Sequence, residues 1–313
     1  MLLVVTTRDD PTTDSVIAEL RRRDAPFLRF NTEDYPGAVS LIWTDDGETT
    51  LDVAGRKYST DEFDAVWYRR PVPPVMPAAF DADLRAWATD EAAEALDGVW
   101  RGLRARWVNH PHADAWAGCK PAQLRTAKQL GFSVPSTLVT NDPTAAANFV
   151  NGHEQVICKP IYNGLVTRAN TEQLFWTMHL ETKALTFDDF GPEPYLLQAE
   201  IAKAADVRVT VVGERVFAVA IRTPVGAPTD WRRTSLDQLR HDIIELPEDI
   251  EALCRALAQT YELRFAAIDL ALTCDDRFDF LELNPNGQWA WLEDETGVPL
   301  CAAMVDLLLG ADG

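Results

Sequence analysis

Two acids and an amide on neighbouring apolar strands are the first residues of this chain whose types and spacing could do chemistry. Residues 278–284, FDFLELN, read as a strand of large apolar residues carrying Glu282 and Asn284, and the chain then turns through Pro285, Asn286 and Gly287. Side chains two apart on a strand point to one face, so Glu282 and Asn284 aim together while Leu281 and Leu283 are expected in the core. Upstream, FAAIDLAL puts Asp269 in the middle of another apolar strand, where aspartate is a poor strand former and costly to bury unpaired. Two carboxylates and an amide oxygen meeting across adjacent strands form an all-oxygen site suited to Mg²⁺, which takes one or two carboxylates and fills its shell with substrate phosphates. The competing reading is that Asp269 and Glu282 pair with Arg or Lys.

A metal-bound nucleotide needs cations on its phosphates. Lys159 ends the buried strand VICKP, and Lys120 opens the helix after Gly118-Cys119. The segment YNGLVTR (162–168), with Gly164, is a turn whose backbone N–H groups could close over phosphates. It is no Walker loop: neither G-x-x-x-x-G-K-[ST] nor G-x-G-x-x-G occurs in the chain. The strand DVRV places Asp206 and Arg208 on one face, and Arg222 ends the next antiparallel strand. Two arginines converging on one site would stabilise a transferring phosphoryl group; the alternative is an ion pair between Asp206 and Arg222 across the strands.

The elements that must position these residues fall into three groups. The opening LLVV, TTDSVIAELRRR and PFLRF reads strand, helix, strand, the start of a parallel sheet. VSLIW and TTLDV flank the turn TDDGE as a hairpin, DAVWYRRP is a further strand, and 81–103 a long helix with Leu84, Trp87, Ala88, Ala95, Leu96, Val99 and Leu103 on or near its buried face. From about residue 112 a new pattern begins: helix 120–132, strand 134–140, helix 142–150 with Asp142 as cap and proline in its first turn, and strand 155–160. YLLQAEI (195–201), DVRVTVV (206–212) and RVFAVAIR (215–222) read as three successive antiparallel strands. Helix 247–261, strands 265–272 and 278–284 and a helix over 297–309 complete the chain. The expected divisions are 1–111, 112–197 and 198–313.

Composition bounds the partners. With 313 residues and 47% apolar content the chain is long enough for two or three packed lobes. Its formal net charge of −20 disfavours nucleic acid and anionic membrane. No stretch approaches the ~20 apolar residues needed to cross a bilayer, and the first apolar run is too short for a signal peptide. Five scattered cysteines, never spaced C-x-x-C, argue for a reducing, cytoplasmic setting. Against the acidic background stand small basic clusters: Arg69-Arg70, Arg104/Arg106 and Arg232-Arg233.

Taken together, a lysine on a strand, a glycine turn, the QAEI strand, D-x-R, a strand ending in arginine, and then Asp and E-x-N on the last strands resemble the ATP-grasp superfamily. More narrowly, VWYRRP, NHP, CKPAQLRTAKQLGFSVPSTLVTND, DWRR and ELNPNGQWAWLEDETGVPL resemble the ATP-grasp ribosomal peptide maturases, the graspetide synthetases, and TTRDDPTTDSVIAELRRR resembles their actinobacterial branch. The resemblance covers nearly the whole chain. It implies a mixed α/β and α+β ATP-grasp fold, with an N-terminal pre-ATP-grasp lobe, a central lobe and a C-terminal lobe. ATP is clamped between the last two, with Lys120 and Lys159 on the α/β-phosphates. Gln198, Ala199, Glu200 and Ile201 line the adenine pocket, Glu200 near the ribose, and Arg208 and Arg222 face the γ-phosphate. Asp269, Glu282 and Asn284 ligate Mg²⁺. Where many relatives carry an acid for the ribose, this chain has Lys203 followed by Ala204-Ala205.

The implied reaction activates Asp or Glu side chains of a ribosomally made precursor peptide as acyl-phosphates. They then join to Ser/Thr hydroxyls or Lys amines as ω-ester or ω-amide rings. Arg232, and after it Arg233, are expected to receive the acidic core of that peptide, with Trp289 either in the core or walling the entrance. Asp206, Asp230 and Glu293 are the candidate bases of the second step. A homodimer is the implied assembly. A ligase of small amino acids or dipeptides, and a non-catalytic nucleotide-binding module, are the alternatives.

Overall fold

The computed structural model describes residues 1–46, 49–162, 164–168, 171–180 and 191–311; within it the side chains at 166–168, 171 and 172 are left aside. Residues 47 and 48 of the expected TDDGE turn, and Asn163 of the glycine turn, lie outside the described residues.

The N-terminal lobe runs β1 (Leu2–Thr6), α1 (Pro11–Arg22), β2 (Phe27–Asn31), β3 (Val39–Trp43), β4 (Thr49–Val53), β5 (Arg56–Ser59), β6 (Ala65–Tyr68), α2 (Ala82–Gly102) and β7 (Arg106–Val108). Its main sheet has the order β2-β1-β6-β7 and is wholly parallel. All five residues of β1 are buried, as expected of a parallel strand covered on both faces. Leu2 and Val4 pack with Val16 and Leu20 of α1, while Leu3 and Val5 face Leu96, Val99 and Trp100 of α2. The first half of α2 departs from its expected amphipathic face. Leu84 is 42% and Trp87 60% exposed, Ala95 is exposed, and every buried residue of the helix lies at or beyond Ala92.

The chain continues through α3 (Pro111–Ala117), α4 (Lys120–Leu130), β8 (Thr137–Thr140), α5 (Pro143–Asn151), β9 (Val156–Lys159), β10 (Leu165–Arg168), β11 (Thr171–Leu174), β12 (Met178–Leu180) and β13 (Tyr195–Ala199). Four of these strands form an antiparallel sheet of order β12-β9-β13-β8. The last part contains β14 (Lys203–Val212), β15 (Arg215–Arg222), β16 (Arg240–Ile244), α6 (Glu248–Thr260), β17 (Phe265–Thr273), β18 (Phe278–Asn284), α7 (Ala290–Thr296) and α8 (Leu300–Leu309). Its sheet has the order β16-β15-β14-β17-β18. Residues 195–222 are therefore not one meander: β13 belongs to the central sheet and β14–β15 to the next, with 200–202 crossing between them.

One face of the five-stranded sheet presents Val207, Val209 and Val211 of β14, Ala218 and Ala220 of β15 and Ile268 and Leu270 of β17 to residues of α4 and α6. On the opposite face, Val212, Val219, Phe265 and Ala267 pack with α8 and with the N-terminal sheet. That core ties the first lobe to the last. The rest of the same face carries the charged residues. Among the described residues no helix is long and apolar enough to cross a membrane.

Candidate active site

Strand register brings the acids together. Asp269 is the direct partner of Glu282 on β18 and of Arg208 on β14. A bulge follows: Leu270 pairs with Phe280, leaving Leu281 as the extra residue. Bulges re-aim side chains and recur beside active sites. Here the bulge keeps Phe280 and Leu283 in the core and moves Leu281 to a half-buried position, contrary to the alternation expected from sequence. Asn284 is exposed, and its Oδ1 accepts from the Asn286 N–H at 2.9 Å.

Cations surround this acidic pair. Arg208 grips Asp269 with Nε at 2.6 Å and Nη2 at 3.4 Å. Lys120 Nζ sits 3.5 Å from Glu282 and donates to the Pro160 carbonyl at 2.9 Å. Lys159 Nζ donates to Gln198 Oε1 at 2.8 Å, so Gln198, only 1% exposed, orients the lysine. Burial pushes the Asp269 carboxyl up to about 6 against the pull of Arg208. At Glu282 burial also works upward, but Lys120, Lys159, Arg232 and Arg208 outweigh it and hold the pKa below the usual range. Burial draws the Lys159 ammonium down to about 8. The acids thus pair with Arg and Lys, as the competing reading expected, and Asp269 and Glu282 lie directly opposite each other across the two strands.

Asp206 and Asp230 complete the cluster. Lys203 Nζ donates to Asp206 at 2.7 Å and to the Thr229 carbonyl at 3.0 Å; burial raises the Asp206 pKa in spite of that lysine. Asp230 caps the short turn Trp231–Arg233. It holds the Arg232 guanidinium through both oxygens, at 2.8 and 2.6 Å. Although burial opposes it, this pairing keeps Asp230 below its ordinary range. Arg232 also lies 5.5 Å from the ring centre of Trp176.

The crossing segment 200–202 borders the cluster. The Ala199 and Glu200 N–H groups donate to Ser136 and Gln155 carbonyls. Glu200 Oε2 lies 3.1 Å from His179, and Thr229 Oγ1 donates to Glu200 Oε1 at 3.2 Å. Ala199, Glu200 and Ile201 line an open cavity of about 490 Å³ with Pro135 and the β17–β18 connection.

Some expected members are elsewhere. Arg222 pairs with Asp242 at 3.3 Å and donates to Ala204 O. The β14–β15 register sets Val219 beside Arg208 and Ile221 beside Asp206, so Arg222 falls on the opposite, Ala218/Ala220 face. Neither the convergence with Arg208 nor the Asp206–Arg222 pair forms. Trp289 is 1% exposed and belongs to the core with α8, so it walls no entrance. Glu293 accepts from the Cys301 N–H at 2.7 Å and lines a surface cavity with α1 residues, away from the charged cluster. Gly164 has a packing reason of its own: a Cβ there would strike the Phe175 carbonyl, whose N–H donates to Gly164 O at 2.6 Å. Arg232 offers no free fork for a ligand, because Asp230 occupies it. The Arg233 side chain is exposed and makes no ion pair among the described residues. Arg106, of another basic cluster, donates to Leu308 O at the end of α8.

Sequence reading missed Gln123. This α4 side chain is buried and bonds both backbone groups of Leu283, between Glu282 and Asn284, at 2.8 and 2.9 Å. A glutamine on the helix face that also carries Leu124 and Ala127 was the available signal.

Among the described residues no group of three His, Cys, Asp or Glu side chains could hold a metal. Two opposed carboxylates with a nearby amide, all oxygen donors, instead fit Mg²⁺, which takes its remaining ligands from phosphate and water. The lysines from α4 and β9 fit the phosphates.

Residues 1–115 match the MvdD pre-ATP grasp domain, and residues 124–308 match the RimK-like ATP-grasp domain. A Chryseobacterium gregarium RiPP-associated ATP-grasp ligase, solved with ADP and a leader and core peptide, is 28% identical over 99% of this chain and 96% of its own, with a TM-score of 0.90. The Microcystis aeruginosa MRC macrocyclase MdnC, bound with precursor peptide MdnA, is 26% identical over 99% of both chains, with a TM-score of 0.87. The ATP-grasp ligase PsnB, complexed with a minimal precursor, is 25% identical over 100% of this chain and 99% of its own, with a TM-score of 0.83. No curated protein sequence matches the chain.

Proposed function

Because the chain belongs to the RimK-like ATP-grasp family, we propose that it is an ATP-dependent ligase that closes rings in a ribosomally made precursor peptide. The observation that carries this reading is the meeting, on one sheet face, of Asp269 and Glu282 with Lys120, Lys159, Arg208 and Arg232 from four separate elements. The likeness of the whole chain to peptide-bound ligases adds the substrate class. In this reading Lys120 and Lys159 bind the phosphates of ATP, and the backbone at 199–201 receives the adenine. Glu200 lies beside the ribose, with Lys203 in place of the usual acid. Asp269, Glu282 and Asn284 would hold Mg²⁺, which when bound neutralises phosphate charge.

Arg208 then faces the phosphoryl group as it moves to a side-chain carboxylate of the peptide, releasing ADP. A peptide hydroxyl or amine attacks the resulting acyl-phosphate, phosphate leaves, and the proton passes to a carboxylate. We assign that role to Asp206, whose burial raises its proton affinity. Fixed donors aimed at developing charge are the main catalytic device of such a site. Arg232, clamped on Asp230, supplies a fixed positive field, and Arg233, which makes no ion pair among the described residues, is the fork for carboxylates of the acidic core. The units 1–111, 112–197 and 198–313 would serve as pre-ATP-grasp, central and catalytic lobes. The protein would work in the cytoplasm as a homodimer, a state that sedimentation would test.

The test is co-expression with a short neighbouring reading frame rich in Thr/Ser and Asp/Glu, followed by mass spectrometry. The reading expects the loss of one water per ring. An unchanged peptide, with ATP consumed only on free amino acids or dipeptides, would favour a small-molecule ligase.

A further inference from the structure

The turn that follows the acidic strand is held from outside, residue by residue. Gln123 bonds Leu283, and Asn109 Nδ2 donates to Pro285 O at 3.0 Å. Asp114 accepts from the Asn286 amide. Arg69 Nη1 donates to Asn286 O at 2.7 Å and to Gly287 O at 3.0 Å, and its Nη2 donates to Gln288 Oε1 at 2.6 Å. Thr12 Oγ1 donates to the same Gln288 oxygen at 2.8 Å. On its other side, Gln288 O receives Arg208 Nη1 at 3.4 Å, and Arg208 grips Asp269.

We propose that Arg69 is a positioning residue through which the N-terminal lobe sets the geometry of Glu282, Asn284 and Arg208. The inference rests on the ligase reading above. Arg69 is 1% exposed and pairs with Asp10, whose side chain is 2% exposed, at 3.1 Å. A buried guanidinium is tolerated only where charge and hydrogen bonds are both satisfied, and here every bond beyond Asp10 goes to one turn. Asp10 is itself fixed, since it caps α1 by accepting from the Thr12 and Thr13 N–H groups. The planar fork suits three acceptors on successive residues, which a lysine ammonium matches poorly. Gly287 lets the turn lie flat on the sheet, because a Cβ there would strike that of Ala267. A pair that merely glued two lobes would not need to engage the three residues beyond Pro285 or reach the partner of Arg208.

The test uses full-length protein, Mg²⁺ and ADP, with ADP affinity measured calorimetrically with and without the metal. The variants are Arg69→Lys, Gln288→Ala and Gln288→Glu, each checked for folding by its melting curve. Gln288 is exposed, so its variants keep the test valid if the buried Arg69→Lys does not fold. Removing outer partners of metal ligands typically costs about 10–100-fold in metal affinity. The gain in ADP affinity conferred by Mg²⁺ should accordingly fall about tenfold or more in Arg69→Lys and Gln288→Ala, with metal-free ADP binding near the parent's. Gln288→Glu, which restores an acceptor for Arg69 and Thr12, should keep the gain. An undiminished gain in folded Gln288→Ala overturns the latch alone. A parent protein whose ADP affinity ignores Mg²⁺ overturns the ligase reading, and the latch with it.

Discussion

Replacing Gln123 by leucine changes little in volume and removes the outer partners of Leu283. The Leu283 N–H and C=O both point away from β17, because β18 is the edge of its sheet and Gln123 satisfies both groups. Gln123 is 1% and Leu283 3% exposed, so water cannot replace the lost bonds. Each buried backbone group left unpaired costs about 1–3 kcal/mol, roughly 2–6 kcal/mol for two. Burying a leucine in place of the amide returns about 1–2 kcal/mol. The difference spans about 0–5 kcal/mol, so Gln123→Leu should lower stability by about 2–3 kcal/mol, the middle of that range, in urea denaturation followed by tryptophan fluorescence. Because Leu283 lies between Glu282 and Asn284, the folded variant should also lose amide-exchange protection at Leu283 and much of its Mg²⁺-dependent ADP binding. A stability loss under about 0.5 kcal/mol, with Leu283 still protected, would refute the reasoning, since the two bonds would then carry no structural weight.

Lys159→Ala should weaken ADP binding, whereas Arg208→Ala should slow ring formation about 10²–10³-fold with nucleotide affinity near the parent's; equal affinity losses would contradict that division. Arg233→Ala should reduce precursor dehydration several-fold while leaving ADP affinity unchanged, and a parent rate of dehydration would remove Arg233 from substrate recognition. Burial pushes Asp114 up from 3.8 to about 7, so between these values the folded chain keeps a proton that the unfolded chain has lost. Its contribution to stability therefore falls as pH rises across that window and stays low above it. Asp114→Asn, which keeps an acceptor for Asn286, should raise the melting temperature at about pH 8 and change it little at about pH 4; the opposite pH order would refute the assignment.

The pattern within single strands was legible in the sequence. Asp269 in an apolar strand, Glu282 on the next strand and Lys159 ending a buried run reach one cluster, because strand alternation is a local property, whereas Asn284 lies exposed two residues further on. Arg222 escaped for want of counting: Val212 pairs with Arg215, and that two-residue turn fixes the register and sends Arg222 to the other face. The bulge at Leu281 has no sequence signature in a run of large apolar residues. Trp289 followed the usual fate of tryptophan. Most opaque was Arg69, whose partners in the 286–288 turn lie more than two hundred positions away; only the folded chain makes an apparent surface pair into a buried anchor. Composition hid the same fact, because a basic pair on an acidic chain reads as a solvated surface pair or an anion site, while Arg69 spends its donors on Asp10 and on the 286–288 turn and Arg106 donates to Leu308 O.

The central claim is that a peptide carboxylate is activated by phosphoryl transfer at the Asp269–Glu282 site. It is tested most directly by incubating the protein with ATP, Mg²⁺ and a precursor peptide whose Asp and Glu side chains carry heavy oxygen. The account predicts that each ring formed transfers one labelled oxygen atom to released inorganic phosphate, and that Glu282→Gln yields neither ring nor labelled phosphate. Ring formation that leaves all label in the peptide or in water would contradict it.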